Sequence, residues 1–203
     1  MEDAAAPSEE AADVSEAEAP SEETEEPPSE EETPVPATLR YMGQASIRVT
    51  TAEGQVIYID PFSGADEDYV PAADLILVTH DHPDHNQVER VANRNPDCRI
   101  ITQTEALEGG IHQTFDLGYV QVEAVEAGYN RNHDVENCVG YILTFSNGKT
   151  VYVTGDTSTT QQMPELAARE LDYAFFCCDG RFNRVYRRFV GRLMVYQVAV
   201  TAY

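Results

Sequence analysis

Short apolar runs rich in β-branched residues follow one another after about residue 38, and turn-forming residues separate them. Several runs alternate between apolar and polar positions, as expected for strands with one buried face. Residues 74–79 instead form a continuous apolar run, which is typical of a strand covered on both faces. The predicted strands are 39–42, Ser46–Thr50, Val56–Ile59, 74–79, 99–102, 119–125, Val139–Phe145, 150–154 and 172–177.

Helical spacing of apolar residues is found in three segments between these strands, at 87–93, 104–108 and 160–170. Short Gly-containing turns separate the first three strands and predict an antiparallel meander. The Ser-Asn-Gly turn at 146–148 predicts another antiparallel pair, because Asn and Gly both tolerate a positive φ. Strands with interspersed helices in a chain of this size predict a layered α/β domain.

Charge divides the chain into three parts. The net charge is −23, and residues 1–36 contain fourteen acidic residues, no Lys or Arg, and few apolar side chains. Such a segment cannot bury enough surface to fold, so we predict a disordered acidic leader at 1–36. A folded domain is expected at 37–183. An atypical tail at 184–203 contains four Arg residues and no acidic residue.

Composition also limits the classes of function and location. The domain has no basic stripe for a nucleic-acid backbone, so nucleic acid is not an expected partner. No apolar run is long enough to span a bilayer, and no signal peptide is visible. We expect a cytoplasmic protein with a small-molecule substrate, and the oligomeric state stays open. The alternative is an exported lipoprotein whose anchor segment is missing, because acidic, Pro-rich leaders also follow lipid-anchor sites.

The four cysteines are predicted to be packing residues. They are Cys98, Cys138, Cys177 and Cys178, and no pair has C-x-x-C spacing. Three of them fall in apolar, strand-like segments, which suits small buried side chains better than a disulfide framework.

A cluster of potential metal ligands directly follows the continuous apolar strand, in the segment THDHPDH. His80 and His82 are two residues apart, so their rings project to the same side of an extended backbone. The intervening proline turns the chain and can direct Asp84 and His85 to a second point. Imidazole and carboxylate groups in this pattern suit zinc or a similar metal. The alternative is a solvated polar turn.

Two further candidates lie at strand ends. His133 precedes the strand Val139–Phe145, and Asp156 follows the strand at 150–154. Each alone would be weak, because a loop histidine is usually a surface residue and an Asp in a Gly-Asp-Thr turn is often a helix cap. Their order after the histidine cluster makes them candidates. His112 matches no ligand position and is predicted to be a surface or packing residue.

These residues together resemble the metallo-β-lactamase superfamily. The resemblance rests on THDHPDH, on Ile-Asp-Pro at 59–61, on His133 and on Gly-Asp-Thr at 155–157. The segment MGQAS at 42–46 and the stretch 129–141 resemble the branch related to ascorbate-6-phosphate lactonase. The resemblance covers about residues 38–183 and implies an αββα four-layer sandwich with metals at one edge of its two sheets.

The resemblance also implies a two-zinc centre, with manganese or iron as alternatives. The implied ligands are His80, His82 and His133 for the first ion, Asp84 and His85 for the second, and Asp156 as the bridge. Catalytic roles are expected for Asp84 and Asp156, whereas Asp60 matches a carboxylate that orients a histidine ligand. The implied reaction is attack by a metal-bound hydroxide on a small ester, lactone or phosphodiester.

The C-terminal part departs from the family pattern. The family normally supplies a further histidine there, and this chain has none after His133. We hypothesise that residues 184–203 come from a frameshift and that the last strand and helix are lacking. The alternative is a divergent natural tail in which 195–201 form an edge strand. With the ligand missing, the alternative function is a catalytically impaired remnant or a metal-binding module.

Overall fold

Two β-sheets packed face to face form the centre of the computed structural model, which describes residues 37–177 and 194–198. The strands of the first sheet, in spatial order, are β1 Thr38–Gly43, β2 Ser46–Thr50, β3 Val56–Ile59, β4 Ala73–Leu77 and β5 Arg94–Ile101. Strands β1 to β3 form the predicted antiparallel meander, whereas β4 and β5 are added in parallel.

The second sheet has six strands. In chain order they are β6 Thr114–Asp116, β7 Val120–Glu126, β8 Val139–Phe145, β9 Thr150–Val153, β10 Tyr173–Cys177 and β11 Met194–Val198. Each strand lies beside its neighbour in the chain, from β6 at one edge to β11 at the other. Neighbours from β6 to β9 are antiparallel, and β9, β10 and β11 are parallel to one another.

Alternating side chains of both sheets fill the space between them. Leu75 and Leu77 of β4 belong to this central cluster, together with Tyr141 of β8, and Ile76 packs on the opposite face of its sheet. β4 is therefore buried on both faces, as its continuous apolar sequence predicts. Full burial of one such side chain contributes about 1.5–3 kcal/mol to stability, so this strand is a rigid base for the loop that follows it.

Short helices cover the outer faces of both sheets. Helix α2, Met163–Ala167, packs Met163 and Leu166 on the second sheet. Single 3₁₀ turns at Asp66–Tyr69 and Val88–Arg90 cover the first sheet. The layers confirm the predicted αββα sandwich, with short covering helices in the described part of the chain.

The helix predicted at 87–93 is wrong. One 3₁₀ turn occupies Val88–Arg90, and β5 already begins at Arg94. The guanidinium of Arg94 donates to the carbonyls of Val88 and Val91, which a continuing helix would use for its own backbone hydrogen bonds. Helix α1, Gln103–Ala106, is close to its predicted position and begins with a capping box between Thr102 and Glu105.

The ends of the chain are described only in part. The predicted leader 1–36, Cys178 and most of the tail 184–203 lie outside the described residues. Within the tail, β11 overlaps the edge strand that was the alternative at 195–201. The domain boundaries and the frameshift stay predictions. Across the described ranges, no helix has the length and apolar character that crossing a bilayer requires.

Tyr141 joins the two sheets below the loop that follows β4. Its ring is fully buried, and its hydroxyl donates to the carbonyl of Val78 at 2.9 Å. We expect Tyr141→Phe to lower the free energy of unfolding by about 1–2 kcal/mol, because a buried carbonyl loses its donor. Urea denaturation measures this change. The control Tyr173→Phe removes a hydroxyl from a half-buried ring of β10, and an equal effect in both variants would contradict the prediction.

Candidate metal centre

Loops from both sheets meet where β4 ends and β8 begins. The backbone amide of Val139 donates to the carbonyl of Thr79 at 2.9 Å, and His80 forms an isolated β-bridge with Cys138. Gly155 lies against this junction with φ +60°, and a Cβ there would lie 2.7 Å from the carbonyl oxygen of Val139. The close approach requires glycine, and it brings the loop after β9 beside the histidine cluster.

Three of the predicted ligands form a first group, His80, His82 and His133. The Nδ1 atom of His82 lies 3.1 Å from Nε2 of His80 and 3.2 Å from Nε2 of His133. Burial, reinforced by the neighbouring imidazoles, holds the pKa of His80 far below its ordinary value. A neutral imidazole is the form that coordinates a metal ion, so His80 has the protonation state of a metal ligand.

His85 and Asp156 form a second group together with His80, with ligand atoms within 4.8 Å of one another. Nε2 of His85 and Oδ1 of Asp156 are buried, lie 3.7 Å apart, and have no hydrogen-bond partner within the described part of the chain. Unpartnered buried polar atoms are rare and require an explanation. A divalent cation between them would satisfy both, so the side chains fit a metal.

The two oxygens of Asp156 face different groups. Oδ2 lies 3.4 Å from Nε2 of His133, in the first group, and Oδ1 faces His85, in the second. A carboxylate in this position can contact two cations at once. Asp156 thus lies between the two groups, and the bridging role that the resemblance implies for it stays a prediction.

Asp60 lies fully buried beneath both groups. Its Oδ2 accepts hydrogen bonds from Nδ1 of His85 at 2.8 Å and from Oγ1 of Thr79 at 2.7 Å. Because the Thr79 hydroxyl gives its proton to Asp60, it accepts from Nδ1 of His80, which lies 3.1 Å away. Asp60 thereby orients His85 directly and His80 through Thr79, and both Nε2 atoms are left for a ligand.

The same carboxylate determines the charge of His85. Burial by itself would lower the pKa of His85, but the charge and hydrogen bond of Asp60, followed by the charges of Asp156 and Asp84, raise that pKa to about 9. His85 is therefore an imidazolium in the metal-free protein at neutral pH. A metal ion has to displace that proton when it binds.

Asn130 positions His133 in a comparable way. Its Oδ1 lies 2.9 Å from Nδ1 of His133, and its Nδ2 donates to the carbonyls of Gly128 and Asp156 at 3.3 Å. The Asn130 side chain thus links the loop that carries His133 to the loop that carries Asp156. Sequence analysis did not select Asn130 or Thr79 for these roles, although each is a polar residue within three positions of a candidate histidine.

Asp84 is a predicted ligand, but among the described residues it belongs to neither group. Its Oδ2 accepts a hydrogen bond from Nε2 of Gln44 at 2.6 Å. The charge of Asp84 nevertheless contributes to the raised pKa of His85 and acts on His133 as well. His112 belongs to neither group and is half-buried.

An open cleft of about 490 Å³ lies over the first group. Polar side chains surround the three histidines, including Gln103, Arg131 and Asn137. Small-molecule sites commonly have volumes of about 300–1,000 Å³. The cleft is therefore large enough for a small polar molecule to reach the histidines.

Comparisons with known proteins agree with this fold. Residues 38–186 match a family model described as beta-lactamase superfamily domain. A metal-dependent hydrolase from Anaeromyxobacter sp. (strain K) is 28% identical in an alignment that covers 70% of this chain and 65% of that protein. Another, from Saccharolobus solfataricus, is 29% identical in an alignment that covers 72% of this chain and 74% of that protein. The chain thus spans about 65% of the length of the first of these relatives.

Solved structures show the same architecture. A candidate metal-dependent hydrolase from Parabacteroides distasonis superposes with a TM-score of 0.60 and 28% identity, covering 72% of this chain and 71% of that chain. A metallo hydrolase from Ignicoccus hospitalis gives a TM-score of 0.54 at 23% identity, with 72% of each chain covered. At that identity the second likeness shows the fold alone.

The His85–Asp60 pair predicts a pH dependence of stability in chelator-treated protein. The pKa of His85 is about 9 in the folded state and about 6.5 when unfolded. The stabilisation from the charged pair is therefore complete below pH 6.5 and is lost as the pH rises through about 9. Urea denaturation between pH 6.5 and 9.5 measures the loss. His85→Gln should show a smaller dependence in this window, and an identical one would contradict the assignment.

Proposed function

Because the chain belongs to the metallo-β-lactamase superfamily, we propose that it is a metal-dependent hydrolase with two zinc ions. Relatives named as metal-dependent hydrolases support this activity. The aligned part covers about 65% of the first relative, so the proposal depends on the side chains of the site and not on the relatives' names alone. The observation that carries the proposal is the position of Asp156 between two groups of histidines, with one carboxylate oxygen facing His85 and the other facing His133.

The described side chains suit this chemistry. His80, His82 and His133 would hold one ion, His85 and Asp84 the other, and Asp156 would contact both. Bound zinc supplies a hydroxide nucleophile at neutral pH and stabilises negative charge on the reacting group. Thr79, Asp60 and Asn130 keep the histidine rings oriented. Burial keeps His80 neutral, so it presents a lone pair to the site.

The cleft supports a small polar substrate. Its lining combines amide side chains with the guanidinium of Arg131, groups that hydrogen-bond to carbonyl, hydroxyl and phosphoryl oxygens. We therefore propose a small ester, lactone or phosphodiester as substrate. Asp84 and Asp156 would be the carboxylates that take part in the reaction through the metal ions.

A second candidate is a module that holds one metal ion without turnover. It is favoured by the difference between the two groups, since three imidazoles already converge in the first, whereas Asp84 lies outside the second. Such a protein would bind one zinc firmly and a second one weakly.

Zinc stoichiometry separates the two candidates. Native mass spectrometry after reconstitution should show two zinc ions per wild-type chain. His85→Ala should retain one ion, because it removes a ligand of the second group alone. His112→Ala is the matched control and should retain two, because it changes a histidine outside both groups.

Hydrolysis of p-nitrophenyl acetate, a γ-lactone and bis(p-nitrophenyl) phosphate tests the activity. We expect His85→Ala to lower kcat/KM by about 100-fold or more, because part of the stabilisation of the developing charge is lost. His112→Ala should keep wild-type kcat/KM. One zinc per wild-type chain without turnover on any of the three substrates would contradict the hydrolase and support the one-metal module.

A further inference from the structure

Gln44 connects the meander of the first sheet to the metal-ligand loop. It lies in the turn between β1 and β2, with φ +50°, in the left-handed region that non-glycine residues seldom adopt. Its side chain is half-buried and donates from Nε2 to Oδ2 of Asp84 at 2.6 Å, across 40 positions of sequence. A strained turn therefore presents this amide to a predicted ligand.

The chemistry of the contact fixes its direction. An ionised carboxylate only accepts hydrogen bonds, so the nitrogen of the Gln44 amide faces Asp84. Hydrogen bonds to charged acceptors are short and stronger than neutral ones. The bond uses Oδ2 of Asp84, and Oδ1 takes no part in it. A metal ion and Gln44 can therefore bind the same carboxylate through different oxygens.

The Asp84 side chain depends on its contact with Gln44 for a fixed position. It follows Pro83 on a half-exposed turn, whose backbone is closed by hydrogen bonds from the amides of His85 and Asn86 to the carbonyl of His82. Those bonds fix the backbone, but they leave the Asp84 side chain free to rotate. Ligands have to be held within about 0.5 Å of their working position, and Gln44 supplies that restraint.

We propose that Gln44 is a positioning residue for the second metal ion, which it serves by holding Asp84. The inference rests on the two-metal function proposed above and adds a residue to it. The first group has its own supports, Thr79 for His80 and Asn130 for His133. Loss of the Gln44 amide therefore affects the second ion and leaves the first unchanged.

Gln44→Met tests the proposal, because methionine keeps the length and volume of the side chain and removes the donor. Stepwise zinc affinities are measured by competition with a chromophoric chelator, and native mass spectrometry gives the number of ions bound. We expect the second dissociation constant to rise about 10–100-fold, as for other residues that orient metal ligands. The first dissociation constant stays within about twofold. Gln121→Met, at an exposed position of β7, is the control and changes neither.

A double-mutant cycle with Asp84→Ala shows whether the effect passes through Asp84. In the Asp84→Ala background, Gln44→Met should cause no further loss of second-site affinity. Equal, additive losses in both backgrounds would overturn the proposal. So would a parallel weakening of both sites with a lower Tm of the metal-free protein, which indicates a general structural role.

The number of zinc ions bound by the wild-type protein shows whether the role of Gln44 or the two-metal function has failed. Two zinc ions in the wild type and an unchanged second dissociation constant in Gln44→Met would overturn the role of Gln44 and leave the two-metal function intact. A wild type that binds a single zinc, with Gln44→Met also binding one, would overturn both.

Discussion

The buried carboxylate of Asp60 is the constraint on which the site depends. It accepts from the backbone amide and hydroxyl of Thr79 and from the ring of His85, so it fixes the chain direction at the end of β4. A fully buried charge is costly unless it is paired and hydrogen-bonded, and these three donors offset that cost. The hydrogen bonds that Asp60 accepts thus orient His85 directly and His80 through Thr79.

The sandwich and the candidate ligand cluster were largely visible in the sequence, whereas the side chains that orient the candidate ligands were not. β8 has the predicted bounds because most of its residues are apolar and a clear turn follows it, and the histidine cluster is recognisable because its spacing is local. The three-residue strand β6 has no apolar pattern and was missed. Gln44 and Asp84 meet across 40 positions, and no local pattern records a contact that depends on how two distant loops fold together.

The two candidate ion sites differ in how much of their geometry exists before a metal binds. In the first group the imidazole nitrogens already converge, and burial keeps His80 neutral. In the second, His85 carries a proton and Asp84 is held by a separate loop. Filling the second site therefore requires proton release and an exact side-chain position, which makes its affinity sensitive to pH and to residues outside the ligand set.

The ligands of the first group come from loops of both sheets, His80 and His82 after β4 and His133 before β8. A metal ion held by them would act as a cross-link between the two halves of the sandwich. Ions that bind only the folded chain add their binding free energy to its stability, by about 4 kcal/mol at a thousandfold excess over Kd. The catalytic ion would then also be a structural one, and zinc supply in the cell would limit how much of the protein stays folded.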